Sequence, residues 1–209
     1  MPYYTYPLLY LLTILVGIYN YKKYSQNKYL KLFLFFLIYT CISESFGVYL
    51  YLVLKIKTNF IYSIWNIVSF IFYAIFFLSI IKNVNRKNSI KALILLFSVI
   101  TIINIFLNGI IEIPLINNMI LAKFLIAISV IIYFIEIIKS DEILTIQKSL
   151  FFWVSLGIFI YNIGFLPGFA LVKYTSFVGM FKYITFGLNI LMHLSFIAGF
   201  IVSKKEFNK

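Results

Sequence analysis

The sequence predicts an all-α integral membrane protein, a bundle of seven transmembrane helices forming a single domain over residues 1–209. The first observation is composition, since 63% of the residues are hydrophobic, 11% are charged and the mean hydropathy is +1.02. Soluble domains are roughly a quarter charged. The second is that apolar runs of about 20 residues recur along the chain, each long enough to cross a hydrocarbon core about 30 Å thick. The third is that the segments between them are too short to form a soluble domain.

Helices are predicted rather than a β-barrel. Backbone amides in lipid must be satisfied within the protein, which leaves only these two architectures. Barrel strands alternate polar and apolar residues over about ten positions. The runs at residues 90–105 and 122–138 show no such alternation.

The predicted spans follow one another with short connections. The first lacks basic residues ahead of its apolar run and a small-residue cleavage pattern, so we interpret it as a span and not as a removable signal peptide. Only turn-forming residues such as Gly109 and Pro114 separate the fourth from the fifth, and Pro167 with Gly168 predicts a kink or a close helix approach in the sixth. The spans lie at residues 5–21, 32–54, 60–81, 90–108, 114–138, 150–172 and 183–202.

The basic residues predict the orientation. With the N-terminus outside, the inner connections hold 13 Lys and Arg residues and the outer ones hold 4. Cytoplasmic loops retain positive charge, so the C-terminus is predicted to be cytoplasmic. The excess of Ile, Phe, Tyr, Asn and Lys is typical of an AT-rich bacterial genome, which predicts a multi-pass protein of the bacterial inner membrane.

The formal net charge of +12 does not indicate nucleic-acid binding, because the basic residues are scattered through short connections. The single cysteine, Cys41, lies inside a span, so no intramolecular disulfide is possible. We expect the lipid bilayer as the main partner and no nucleic acid. A homo-oligomer and a protein partner at the cytoplasmic loops both remain open.

Polar side chains inside the spans are the candidate functional residues, because the membrane makes them costly. Glu44, Lys123 and His193 lie near the middle of the second, fifth and seventh spans. At about 1.5 Å per residue, four asparagines fall at nearly the same depth. The sequence therefore predicts a polar layer that serves as a ligand site or an ion pathway, formed by Glu44, Lys123, His193, Asn66, Asn104, Asn162 and Asn189.

Glu44 and Lys123 are the natural ion pair, because an isolated charge at that depth must find a partner or lose its charge. The alternative is that these groups only hold helices together. His193 shares a helix face with Asn189, and a lone histidine there is more often a hydrogen-bonded packing residue. Glu136, near Lys139, is expected to reach the membrane interface.

Catalytic functions are disfavoured. A metal site needs three or four ligands, whereas the spans offer one histidine, one cysteine and one carboxylate at the midplane. We therefore predict neither an enzyme, nor a metal site, nor a cofactor. Retinal bound to Lys123 is conceivable, but the last span lacks the lysine of microbial rhodopsins.

The string FFWVSLGIFIYNIG at residues 151–164 resembles an FWIxxGxLIYxxG stretch of small seven-span membrane proteins of Bacteroidetes. Glu44, Asn66 and Asn189 fit the same pattern. Those proteins are of unknown function, and similar regions form the membrane sensor portion of some histidine kinases. The family tends to carry a histidine one turn before the last asparagine. Here His193 follows Asn189, so no role is carried over to it.

Three functions stay open on the sequence. The leading hypothesis, which the resemblance also implies, is a non-catalytic sensor or partner-binding membrane module. The alternative is a small transporter or an ion or proton channel that uses Glu44, Lys123 and His193. The third is an accessory membrane effector of a neighbouring system.

Overall fold

The computed structural model describes residues 5–56, 58–109, 116–175 and 178–208. Of these residues 90% are helical, and no strand forms within these ranges. The seven α-helices are α1 (Thr5–Tyr19), α2 (Lys28–Tyr49), α3 (Asn59–Ile80), α4 (Val84–Asn108), α5 (Ile116–Ile138), α6 (Leu150–Thr175) and α7 (Val178–Val202).

Six of these helices, α2 to α7, are long and apolar enough to cross a membrane, so the chain is a multi-pass membrane protein. The first is also apolar but has 15 residues, which makes it about 22 Å long at 1.5 Å per residue. Each predicted span corresponds to one helix. The predicted turn residues Glu112 and Pro114 lie outside the described residues.

Side-chain caps explain why two helices begin earlier than predicted. The Asn27 side chain accepts hydrogen bonds from the backbone amides of Tyr29 and Leu30, so α2 starts at Lys28. The Asn83 side chain accepts from the Arg86 amide in the same way, so α4 starts at Val84. Hydropathy alone does not reveal these polar first turns.

Helix α6 runs without interruption through Pro167 to Thr175, and it approaches α7 closely at Gly157. A Cβ atom added to Gly157 would lie 2.9 Å from the backbone oxygen of Met192 and 2.7 Å from the Phe196 ring. Only glycine permits this approach of the two helices.

Six helices form a closed ring. In order around it, α1, α2, α3, α5, α6 and α7 each pack against the next, and α7 packs back against α1. Helix α4 lies outside this ring and packs on α3 and α5. Its buried side chains among those described, Ile90, Phe97 and Thr101, follow one stripe.

The connections at residues 20–27, 139–149 and 203–208 meet at one end of the bundle, which we call the lysine-rich end. The Lys204 amide donates to the Lys148 carbonyl at 2.9 Å. The Asn208 side chain accepts from the Leu150 amide at 2.8 Å and donates to the Lys23 carbonyl. The first helix begins away from this end, where the Cys41 thiol donates to the Pro7 carbonyl at 3.6 Å. Because Cys41 lies near the middle of α2, α1 extends along only part of its longer neighbour.

A layer of buried phenylalanines fills the ring on the side of the lysine-rich end. Phe33 of α2 lies at the centre of this phenylalanine layer, and its ring centroid is 6.2 Å from that of Phe76 and 5.1 Å from that of Phe196. Phe77 and Phe200 complete the layer, and all five side chains are at most 1% exposed. These five side chains therefore form an apolar layer between the lysine-rich end and the rest of the ring.

Candidate functional site

A small cavity lies in the ring on the other side of the phenylalanine layer. Its volume of about 10 Å³ is close to what one water molecule requires. We call it the polar chamber, because eight of its ten lining side chains carry a polar atom. They are Tyr10, Trp65, Asn66, Ser69, Tyr73, Lys123, Tyr161 and Asn162, joined by Ile126 and Met192.

Lys123 is the charged residue of the chamber. Its side chain is only 4% exposed, and its Nζ atom lies 4.2 Å from the ring centroid of Tyr161 and 4.3 Å from that of Phe165. Both distances allow cation–π attraction. No carboxylate in the described part of the chain pairs with it. The ammonium therefore faces aromatic rings and the chamber.

The predicted ion pair between Glu44 and Lys123 is wrong. The hydroxyl of Tyr62 on α3 donates to Glu44 Oε2 at 3.5 Å. The reason is the order of helices in the ring. Helix α3 lies between α2 and α5, so side chains of α3 separate the Glu44 carboxylate from Lys123. Glu44 is therefore not among the side chains that line the chamber.

The asparagines divide between two places. Asn66 and Asn162 line the chamber, and Asn189 lies beside it, with its side chain interacting with Tyr161. Asn104 does not belong to this group. Its amide donates to the side chain of Asn118 between α4 and α5, because α4 is outside the ring.

His193 lies behind Tyr10, buried to 1% exposure, with the two rings edge to face at 4.4 Å. Its Nδ1 atom is 2.8 Å from the hydroxyl of Thr13, which itself donates to the Leu9 carbonyl at 2.9 Å. With the Thr13 hydrogen on the Leu9 carbonyl, the hydroxyl can only accept from His193, so this arrangement requires the tautomer with the proton on Nδ1. The other ring nitrogen, Nε2, has no partner in the described structure.

Sequence reasoning missed most of the aromatic half of the chamber, since only Tyr73 falls on a helix face that was predicted to be polar. Tyr10, Tyr73 and Tyr161 line it, although tyrosines in such a chain mostly indicate interfacial anchors or packing. The available signal was position, since Tyr161 adjoins Asn162 in mid-span and Tyr73 continues the polar face of Asn66.

Glu136 lies near the end of α5, where its carboxylate binds the connection between α3 and α4. Its carboxylate accepts from the backbone amides of Lys82 at 2.5 Å and Asn83 at 3.3 Å, and it pairs with Arg86 Nη1 at 3.2 Å. It thereby fixes the connection between α3 and α4 to the end of α5. Among the described residues, no three His, Cys, Asp or Glu side chains cluster as metal ligands would.

Comparison with protein-family models, with curated proteins and with solved structures found no match to this chain.

Proposed function

We propose that this chain is a non-catalytic sensor module of the bacterial inner membrane, and that it recognises a small acidic ligand in the polar chamber. In this proposal all seven helices span the bilayer, with the N-terminus outside and the lysine-rich end in the cytoplasm. The distribution of basic residues supports that orientation. The apolar composition of α1 supports the seventh span.

The buried ammonium of Lys123 carries the proposal. A charge in a medium of low dielectric is costly unless it is paired, and here it faces two aromatic rings and a space of about 10 Å³. An acidic group that reached this space would gain a charge-assisted hydrogen bond. Tyr10, Asn66 and Asn162 would orient the rest of a small ligand.

Binding then requires the helices around the chamber to move apart, because the present volume holds about one water. That movement is the signal in this proposal. The ring is continuous, so a displacement of α6 or α7 reaches the tied connections at residues 139–149 and 203–208. The resemblance to membrane sensor regions of histidine kinases accords with such an output.

The phenylalanine layer favours recognition over conduction. A permeant ion would have to pass Phe33, Phe76 and Phe196, which lie at most 1% exposed in ring-to-ring contact. The transporter or channel alternative retains one supporting observation, the presence of ionisable Glu44, Lys123 and His193 inside the ring. No described feature favours an accessory effector.

Two measurements on purified protein test the proposal. In proteoliposomes we expect proton and ion flux equal to that of empty liposomes. In detergent we expect at least one unbranched mono- or dicarboxylate of two to six carbons to raise the melting temperature of the wild type. Lys123→Met should abolish that increase, whereas Lys91→Met, which removes an exposed ammonium of α4, should retain it.

Flux that Glu44→Gln abolishes would overturn the sensor in favour of a transporter or channel. Equal responses of the Lys123 and Lys91 variants to every carboxylate would remove the polar chamber from the proposal.

A further inference from the structure

A larger cavity lies at the lysine-rich end, below the phenylalanine layer, and shares no residue with the polar chamber. Its volume of about 400 Å³ is in the range of small-molecule sites. It is bounded by the start of α2, the ends of α3 and α5, residues 141–148 and the C-terminal segment. We call it the basal pocket, and its polar side chains include Asn27, Tyr29, Ser79, Lys82, Ser149 and Glu206.

An apolar groove of about 280 Å³ runs between α2 and α3 on the membrane-facing side of the bundle. Phe36 and Phe72 stack in it with ring centroids 4.1 Å apart. Phe35 and Ile75 line it and are 63% and 48% exposed. We call it the α2–α3 groove, and Leu32, Tyr39, Val68 and Phe76 complete its apolar lining.

The basal pocket and the groove adjoin each other at Tyr29, which lines both. On α3 the groove includes Phe76, and the pocket includes Ser79 and Ile80 one turn further along. Along α2 the groove extends from Tyr29 to Tyr39, ten residues or about 15 Å. That length is half of a hydrocarbon core about 30 Å thick, which is one leaflet.

We propose that the basal pocket and the α2–α3 groove form one binding site for an acidic phospholipid. The phosphate headgroup occupies the basal pocket, and one acyl chain lies in the groove within the leaflet at the lysine-rich end. The polar and charged lining is thus matched to the headgroup, and the apolar lining to the chain.

Charge supports an acidic headgroup. The described connections at this end and the helix turns beside them hold 12 basic residues against four acidic ones, Glu136, Asp141, Glu142 and Glu206. Lys82 lines the pocket itself, and each basic side chain near such a surface favours acidic lipids. The hydroxyl of Tyr29 and the carboxylate of Glu206 suit a headgroup that also bears hydroxyl groups.

The position of the groove argues for a lipid and not for a soluble anion. Exposed Phe35 and Ile75 face the region where acyl chains surround the bundle, and an apolar groove there is filled by a chain and not by water. A soluble phosphate would use the pocket and leave the groove without function.

The test is lipid-dependent stabilisation of the full chain in detergent, with retained lipids counted by native mass spectrometry. The probes are dioleoyl phosphatidylglycerol, dioleoyl phosphatidylcholine and water-soluble glycerol 3-phosphate. We expect phosphatidylglycerol to raise the melting temperature at concentrations at least tenfold lower than phosphatidylcholine, with one molecule retained. Glycerol 3-phosphate alone should have no effect.

Two variant pairs locate the site. Ile75→Trp fills the groove and should weaken phosphatidylglycerol binding at least tenfold, whereas Ile71→Trp, on the same helix and 43% exposed but outside the groove, should not. Lys82→Gln should weaken it about fivefold, and Lys55→Gln, which removes an exposed ammonium at the other end of the bundle, should leave it unchanged.

Equal responses to the two lipids, or equal effects of the two tryptophan variants, would overturn the proposal. Stabilisation by glycerol 3-phosphate alone, insensitive to Ile75→Trp, would also overturn it and assign the pocket to a soluble phosphate.

Discussion

At the scale of single residues, two buried side chains of the described structure, His193 and Lys123, lack a partner that their polar atoms could bind. His193 donates from Nδ1 to Thr13 and leaves Nε2 without a partner. Lys123 has aromatic faces in place of an anion. Such groups are costly in a bundle core. They lie at the chamber or directly behind it, which is where a ligand or a water would complete them.

The Thr13 hydroxyl is expected to stabilise the contact between α1 and α7. Thr13→Val removes the acceptor for the His193 proton, and we expect a loss of about 0.6 kcal/mol in the free energy of unfolding, the average for hydrogen bonds between membrane helices, and at most about 1.7 kcal/mol. Unfolding by sodium dodecyl sulfate in mixed micelles measures it. Thr13→Ser keeps the hydroxyl and should remain near wild type, and an equal loss in both variants would contradict the role.

Glu136 is expected to contribute through its bonds to the α3–α4 connection. Glu136→Gln keeps the size but removes the charge that faces Arg86. Because the pair is partly buried, we expect a coupling of about 0.5 to 1 kcal/mol between Glu136→Gln and Arg86→Met in a double-mutant cycle of unfolding free energies. A coupling of zero would mean that the carboxylate acts only through the two backbone amides.

At the scale of helices, the sequence predicted that each helix exists, but it predicted the first residue of a helix less well. Runs of apolar residues predicted all seven helices within a few residues at most boundaries. The early starts of α2 and α4 depend on single asparagine caps, which follow capping rules and not hydropathy. Helix α6 stays continuous through Pro167, and its close approach to α7, one of the two alternatives predicted for this span, occurs at Gly157.

The glycine contact between α6 and α7 gives a prediction at this scale. Gly157→Ala places a Cβ atom against the Met192 backbone, so we expect a loss of about 1 to 3 kcal/mol, the usual range for overpacking. Gly187→Ala is the matched control on α7, since a Cβ atom there would meet no atom within 4 Å. Unfolding curves of the two variants give the comparison, and similar curves would argue against the close approach.

At the scale of the whole molecule, the depth of a residue along its span could be predicted from the sequence, whereas the contacts between helices could not. Counting residues placed Lys123, Asn66 and Asn162 at one level, and all three line the chamber. The contacts between helices depend on how the side chains on every helix face pack against one another. Hydropathy does not contain that information. Two errors share this cause. Glu44 of α2 was predicted to pair with Lys123 of α5, although α3 lies between these two helices. Asn104 was predicted to lie in the interior, although α4 is outside the ring.

The orientation and the seventh span are tested by single cysteines in a Cys41→Ser background. We expect a membrane-impermeant maleimide to label Thr5→Cys and Ile56→Cys in intact cells, and to label Gln26→Cys only after permeabilisation. This follows from the basic residues at the lysine-rich end. Equal labelling of positions 5 and 26 from one side would show that α1 does not cross.

The order of helices around the ring has a consequence for biogenesis. Helix α3 packs on α5 and not only on the helix made directly after it, while α4 lies at the perimeter. The ring therefore cannot assemble by adding each new helix beside the last. It closes only after α4 has moved aside and after α7, the last of these seven helices to be synthesised, has reached α1. Docking of α7 is therefore the step at which the polar chamber becomes enclosed.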